Sequence, residues 1–255
     1  AGLKPGDKYQ INDVELASKL SFFLWNSIPD EELLDLALKN KLSDKANFDK
    51  QIERMLADPK SKSLASNFVF QWLDMKRLDD IVPDFDVFPS ASGRMDPRPE
   101  FRTELTLFAD SVFREDRSVV DLLRANHTYV NERLALHYGI NDVKGDQFRR
   151  VELKDSARWG LLGKGAILMA AAYPNRTSPV LRGAWVLDRI LGTPPPKPPE
   201  NVGTLEPDTR GTKNIREQLA KHRQLESCAS CHVKMDPPGF ALESFDVIGG
   251  WREFY

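Results

Sequence analysis

Apolar residues recur at the three- and four-residue spacing of an α-helix along nearly the whole chain. The first such face is formed by Leu16, Leu20, Phe23 and Leu24. Asp13 precedes this face and is placed to cap the helix that carries it. The period-two alternation of a β-strand is hard to find anywhere. The pattern therefore predicts a mainly α fold built from many helices.

Further helices follow along the chain. Residues 29–32 (PDEE) start the second one, because proline and acidic side chains suit the first turn of a helix. Later helical runs are predicted at residues 48–56, 63–72, 100–113, 130–137 and 156–171. Between them, residues 80–98 are rich in Pro, Asp, Ser and Gly, which predicts an irregular loop.

A proline run breaks the helical pattern. Residues 193–199 read TPPPKPP, a composition typical of an extended polyproline segment that acts as a stiff spacer. We therefore predict three parts: a multi-helix body (residues 1–192), a proline-rich linker (193–210) and a small C-terminal segment (211–255).

Composition excludes several classes of protein. The 255 residues suffice for a hydrophobic core, and 36 Lys and Arg nearly balance 38 Asp and Glu, for a net charge of −2. This balance predicts no nucleic-acid partner. No run of about 18 apolar residues is present, so no transmembrane segment is predicted. The N-terminus lacks a signal peptide, which predicts a removed signal or a piece of a longer chain.

The only two cysteines, Cys228 and Cys231, lie in the string SCASCH, which ends at His232. Two cysteines exclude a disulfide framework, and C-x-x-C-H is the attachment signature of c-type haem. At this spacing the two thiols can bond the two vinyl groups of one haem, and the adjacent imidazole can bind the iron. The motif therefore predicts one covalent haem c per chain, with His232 as an axial ligand.

Three alternatives to haem remain at this stage. A redox-active dithiol is expected to follow a strand and open a helix, and no βαβ pattern precedes this motif. A zinc site needs further Cys or His ligands at short spacing, which the remaining residues do not supply. The third alternative is chance, because a short motif with three defined positions recurs in unrelated sequences.

Three long blocks carry a family resemblance. They are TYVNERLALHYGI at residues 128–140, YPNRTSPVLRG at 173–183, and CASCHVKMDPPGFALESFDVIGGWR at 228–252. In this order they resemble blocks of the planctomycete-type cytochrome c proteins, large secreted bacterial proteins known mostly as domains of unknown function. The resemblance covers essentially the whole chain. It implies a longer multi-domain parent with haem on its C-terminal segment, and it implies no established reaction.

The second axial ligand of such a haem is open. The candidates are His127, His137, His222, Met169 and Met235. Met235 is too close to His232 to reach the opposite face of the haem, and we predict that it packs in the core. We favour His137 because it lies in the family-like block, although a histidine at a helix C-terminus is also favoured by the helix dipole. An open iron position and a ligand from a missing C-terminal part are the alternatives.

Four more residues are predicted to surround the haem. Arg176 and Arg182 flank Pro179 and can bind the haem propionates, or else form ordinary ion pairs. Phe240 and Trp251 lie in the haem segment and are expected to enclose the porphyrin in apolar surroundings.

These features favour electron transfer, with a redox partner protein or larger electron-transfer complex on the periplasmic or extracellular side of a bacterial membrane. One alternative is a haem enzyme of peroxidase-like or oxidising type with an open iron site. Another is a helical interaction module in which the haem segment is accessory. Because no acid–base constellation is visible in the sequence, we rank electron transfer above catalysis.

Overall fold

The computed structural model describes residues 8–196, 216–217, 220 and 226–253, with side chains from residue 229 onward in the last range. Within these residues the chain is mainly helical, with eleven α-helices and one two-stranded sheet, which confirms the predicted fold class. In the same part of the chain, no helix combines the length and the apolar character needed to cross a bilayer.

The α-helices are α1 (Asp13–Trp25), α2 (Glu31–Leu38), α3 (Lys45–Ala57), α4 (Phe70–Trp72), α5 (Lys76–Asp80), α6 (Arg98–Arg114), α7 (Asp121–Arg124), α8 (Glu132–His137), α9 (Gly165–Ala170), α10 (Pro179–Trp185) and α11 (Glu226–Ala241). Short 3-10 turns occur at Pro59–Ser61, Pro89–Ala91, Gly93–Met95, Ser156–Arg158 and Leu161–Gly163, and π-helical turns at Leu64–Val69 and Val186–Ile190. Strands β1 (His127–Val130) and β2 (Arg149–Glu152) pair antiparallel, with His127 opposite Glu152.

The chain folds as two compact units. Unit 1 comprises Ala1–Gln71 with Thr106–Asp121, and unit 2 comprises Trp72–Leu105 with Leu122–Tyr255. Unit 1 has an apolar core formed by the first three helices and the segments next to them. Its buried members are Ala17, Leu24, Trp25, Leu33, Ala37, Leu42, Met55 and Leu64. These side chains stabilise unit 1 mainly through the removal of apolar surface from water.

Capping side chains define the helix starts in unit 1. The Asn12 side chain accepts the N–H of Glu15 at 2.9 Å, and the Glu15 carboxylate accepts the N–H of Asn12 at 3.2 Å. The predicted cap, Asp13, is therefore wrong by one residue. Its buried carboxylate instead accepts the N–H groups of Leu42 at 2.7 Å and Ser43 at 3.2 Å. Helical spacing does not reveal such a contact, which spans 29 positions along the chain.

Two predicted helices of unit 2 are shorter than expected. In the run 130–137 the strand β1 ends at Val130, and α8 begins only after its cap, Asn131. In the run 156–171, only Gly165–Ala170 is α-helical. Gly160 interrupts the helix with a φ of +59°, and a side chain there would meet the Leu123 carbonyl oxygen at 2.2 Å. Close packing against another backbone thus decides this break.

Two predicted irregular regions have different outcomes. Residues 81–97 join α5 to α6 and carry two 3-10 turns, which agrees with the predicted loop. Of the predicted linker, residues 193–196 have no regular structure, and the part from 197 to 210 lies outside the described residues. The boundaries at 192 and 211 therefore stay predictions.

Candidate functional site

Helix α11 carries the C-x-x-C-H motif. Residues three and four positions apart lie on the same side of a helix, so Cys228, Cys231 and His232 share one face of α11. The Cys231 side chain is a free, half-buried thiol, whereas the side chain of Cys228 lies outside the described part of the structure. The helical backbone therefore presents the imidazole one residue after a thiol, as the predicted haem attachment requires.

His232 is held by a carboxylate one helical turn away. Its Nδ1 lies 2.9 Å from Oδ1 of Asp236, and the exposed fractions of the two side chains are 12% and 1%. An ionised carboxylate only accepts hydrogen bonds, so this contact assigns the ring proton to Nδ1. The lone pair of the neutral imidazole then lies on Nε2, the nitrogen that can bind a metal.

A cleft of about 680 Å³ adjoins the same helix. It is lined by Arg216, Glu217, Ala220, Asp236, Pro237, Phe240 and Ala241. The guanidinium of Arg216 lies 4.4 Å from the centre of the Phe240 ring, so an aromatic face and a cation meet in the cleft. Binding pockets for cofactors commonly measure about 300–1,000 Å³. Neither Cys231 nor His232 is among the residues that line this cleft, so the volume does not by itself define a haem site, and the haem stays a prediction.

The two predicted wall residues lie in different surroundings. Phe240 lines the cleft, and its predicted place beside the haem stays a prediction. Trp251 is 51% exposed and packs edge-on against Phe245, with ring centroids 5.2 Å apart. A β-bridge joins the same two residues, so the observed contact of Trp251 is with Phe245 of the same segment, and Trp251 is not among the residues that line the cleft.

Helix α11 packs on α10 with direct contact between the backbones. A side-chain carbon at Gly183 would lie 1.8 Å from the Met235 carbonyl oxygen, and one at Gly239 would lie 1.8 Å from the Pro179 carbonyl oxygen. Real side chains do not approach so closely, so both positions need glycine. Pro179 and Gly183 lie in the block at 173–183, whereas Met235 and Gly239 lie in the block at 228–252. The two blocks therefore form one packed unit.

Arg182 anchors the C-terminal segment. Its guanidinium is fully buried and donates to the carbonyl oxygens of Leu242 at 2.6 Å, Phe245 at 2.7 Å and Asp246 at 2.9 Å. It also lies 3.6 Å from the Glu243 carboxylate. Of the two roles that the sequence left open, the observed contacts are those of a structural arginine. Its proposed contact with a propionate stays untested.

A second polar cluster supports the same segment. Thr177 donates to the Glu243 carboxylate, and Arg252 donates to that carboxylate at 2.9 Å and to the Thr177 hydroxyl at 2.6 Å. Arg176, by contrast, is exposed and lies 4.9 Å from the ring centre of Tyr173. Of the two predicted propionate partners, Arg176 therefore has the solvent-facing position.

His137, the favoured second axial ligand, is engaged elsewhere. Its Nε2 lies 2.6 Å from the Ile248 carbonyl oxygen, which can only accept, so Nε2 carries a proton and donates it. Burial lowers the pKa of the imidazole, which favours the neutral form. Binding of iron through Nε2 requires this hydrogen bond to break. The assignment of His137 as an axial ligand stays a prediction, and such a ligand would lose its hydrogen bond to Ile248.

The other ligand candidates are mostly core residues. His127 is 1% exposed at the start of β1, and Met169 is fully buried in α9. Met235 is 7% exposed beside α10, which agrees with its predicted packing role. His222 lies outside the described residues. In the described part of the chain, no group of three or more His, Cys, Asp or Glu side chains is placed to hold a metal ion.

Sequence reasoning missed two polar features of unit 2. One is Asp236, which the i, i+4 spacing from His232 could have indicated. The other is a buried pair, Glu104 and Lys164, both 0% exposed, with Nζ and Oε1 3.9 Å apart. Tyr138 donates to Glu104 at 2.7 Å, and burial lowers the pKa of Lys164 to about 8. No local signal indicates this pair, because its members lie 60 positions apart.

Fold and site together define a mainly helical protein with a C-x-x-C-H motif on a helix beside a cleft. Residues 11–140 match the family model PSD4, and residues 158–255 match PSCyt3, both described as proteins of unknown function (DUF1592 and DUF1588). Since the first match covers half of the chain, the protein belongs to the PSD4 family. Both are domains associated with planctomycete cytochrome c proteins, as the resemblance implied. Comparisons with curated proteins and with solved structures give no match.

Proposed function

We propose that this protein is a c-type cytochrome that carries one covalent haem and transfers electrons to a redox partner. Cys228 and Cys231 form the two thioether bonds, and Nε2 of His232 binds the iron. The observation that carries this proposal is the hydrogen bond between Nδ1 of His232 and Asp236, because it leaves the lone pair on the nitrogen that must coordinate.

When bound, the haem supplies one-electron exchange at its iron. The residues of the chain hold and surround it. Asp236 keeps the proton of His232 on Nδ1, and Phe240 covers apolar surface in the adjoining cleft. Arg216, which lines the cleft, and the exposed Arg176 are candidate partners of the propionate groups. The packed α10–α11 pair holds these groups on a rigid support.

The proposal also implies a compartment and a partner. Haem is attached to C-x-x-C-H motifs outside the cytoplasmic membrane, so we expect the parent protein to act in the periplasm or on the cell surface. The partner is then another redox protein or a larger electron-transfer complex.

One observation favours a second function, that of a haem enzyme with an open iron position. The Nε2–H of His137 already donates to Ile248, so the favoured second ligand is not available as the structure stands. Spin state distinguishes the two functions. A six-coordinate, low-spin ferric spectrum supports electron transfer, whereas a five-coordinate, high-spin spectrum that responds to peroxide supports the enzyme. A change from a low-spin to a high-spin ferric spectrum in His137→Ala would instead identify His137 as the second axial ligand.

Covalent attachment provides the direct test. The chain is produced with an export signal and haem-attachment machinery, denatured, and extracted with acid acetone. We expect haem to remain on the wild-type chain, to be retained less well after Cys228→Ala or Cys231→Ala, and to be lost in the double variant. Ser230→Ala, between the two cysteines, is the matched control and should retain haem as the wild type does. Complete release of haem from the denatured wild type contradicts the proposal.

A further inference from the structure

We infer that Asp236 is a positioning residue that orients the axial imidazole of His232 and lowers the reduction potential of the haem. This inference rests on the proposed function, and it concerns how the chain tunes the same site. The motif itself contains no information on this residue, because Asp236 lies beyond the five positions of C-x-x-C-H.

The contact has the geometry of an orienting interaction. The Nδ1–Oδ1 distance of 2.9 Å is that of a charge-assisted hydrogen bond. The imidazole ring has two degrees of rotational freedom, and a bond from Nδ1 restricts both while it points Nε2 away from Asp236. Metal-bound histidines commonly donate their second N–H to a carboxylate or a carbonyl, which sets the tautomer and the ring orientation.

Burial separates this pair from an ordinary i, i+4 contact on a helix surface. The exposed side-chain fractions of 12% for His232 and 1% for Asp236 mean that water screens their interaction weakly. An exposed pair of this kind contributes little, because both charges are solvated. The carboxylate of Asp236 therefore acts on the imidazole at close range.

The backbone around Asp236 is held on both sides. Helix α11 touches α10 at Met235, whose carbonyl lies against Gly183, and at Gly239, which lies against the Pro179 carbonyl. These two contacts bracket Asp236 in the sequence. Its carboxylate is therefore placed by the packing of two helices and has little freedom to move away from His232.

The sign of the effect follows from charge. Ferric haem carries one more positive charge than ferrous haem, so a nearby buried carboxylate stabilises the ferric form. The hydrogen bond from Nδ1 acts in the same direction, because it makes the imidazole a more basic ligand. Both effects lower the potential, and removal of the Asp236 charge should raise it.

The test compares three variants of the haem-loaded protein by redox titration. Asp236→Asn keeps the size and the acceptor oxygen but removes the charge. We expect it to shift the ferric–ferrous equilibrium at least tenfold toward ferrous, a rise of about 59 mV for one electron. Asp236→Glu keeps the charge and should restore most of the wild-type potential. Glu253→Gln removes one exposed negative charge from the same segment and is the matched control, with almost no shift.

The wild-type protein gives a second measurement that needs no substitution. After photolysis of the carbon monoxide complex, the iron–histidine stretching frequency should exceed that of a c-type cytochrome whose proximal imidazole donates to a backbone carbonyl, because the ligand is more basic. Equal frequencies, or equal potentials in Asp236→Asn and Glu253→Gln, overturn the role of Asp236 and leave the proposed cytochrome intact. Absence of covalent haem from the wild type instead overturns the proposed function.

Discussion

Unit 1 and the α10–α11 pair of unit 2 are held by different kinds of contact. In unit 1, apolar side chains at helical spacing pack into one core, and neighbouring residues such as Asn12 define where a helix begins. In the α10–α11 pair, Gly183 and Gly239 allow the backbones to touch, and the buried Arg182 bonds to three carbonyl oxygens. Unit 1 also has a long-range polar contact, that of Asp13 with Leu42 and Ser43, but its core is apolar, whereas the α10–α11 pair is joined through specific atoms of distant segments.

This difference sets what each region tolerates. An apolar core accepts another apolar side chain of similar volume at a small cost, because dispersion and burial are non-directional. A buried guanidinium has no such substitute, since its loss leaves buried carbonyl groups without a donor. Helix α11, which carries the C-x-x-C-H motif, thus depends on the region that is less tolerant of change, which suits a site that must hold His232 and Asp236 in one orientation.

The largest effect should come from Arg182→Lys. Lysine keeps the charge but lacks the planar fork that reaches Leu242, Phe245 and Asp246, so we expect a loss of about 3 kcal/mol in the free energy of unfolding. Urea unfolding measures it. Arg176→Lys in the same block is the control and should change stability by less than about 0.5 kcal/mol, because Arg176 is exposed. Equal losses of stability in Arg182→Lys and Arg176→Lys would show that the buried contacts of Arg182 do not hold the α10–α11 pair in the way we describe.

A smaller effect concerns pH and Lys164. Burial lowers its folded-state pKa to about 8, below the value of about 10.4 in an unfolded chain. The unfolded state therefore binds more protons between these values, and stability rises with pH in that window. We expect the free energy of unfolding to increase by about 1.5 kcal/mol from pH 8 to about 9.5. The Lys164→Met variant should show a flat profile, and a rise as large as that of the wild type would contradict the assignment.

The smallest effect should come from a local contact of unit 1. Asn12→Ala removes the side-chain acceptor for the N–H of Glu15 and should cost about 1 kcal/mol of stability in urea unfolding. Asn12→Asp keeps a capping oxygen and should unfold like the wild type. If Asn12→Ala lowered the free energy of unfolding as much as Arg182→Lys does, local caps and long-range anchors would contribute equally to stability. The contrast between the two regions would then be wrong.

Part of the candidate site could be predicted from the sequence. Cys228, Cys231 and His232 lie within five consecutive residues, so their spacing alone places them on one face of a helix. The fourth member, Asp236, was missed because a single His–Asp pair at i, i+4 is common on solvated helix surfaces, and only its burial gives it significance. Arg182 was considered for a propionate, since the sequence does not show that three carbonyl oxygens lie within its reach.

The sequence by itself determined the helical class, the apolar spacing of α1 and the C-x-x-C-H motif, although Phe23 of that apolar face is 57% exposed. All three depend on residues within a few positions of one another, and the geometry of one helix is enough to derive them. Tertiary structure decided where Gly160 interrupts a helix, which residues Asp13 and Arg182 bond, and how deeply the His232–Asp236 pair is buried. These outcomes depend on which backbone packs against which, because a buried polar group takes the partner that packing places within its reach.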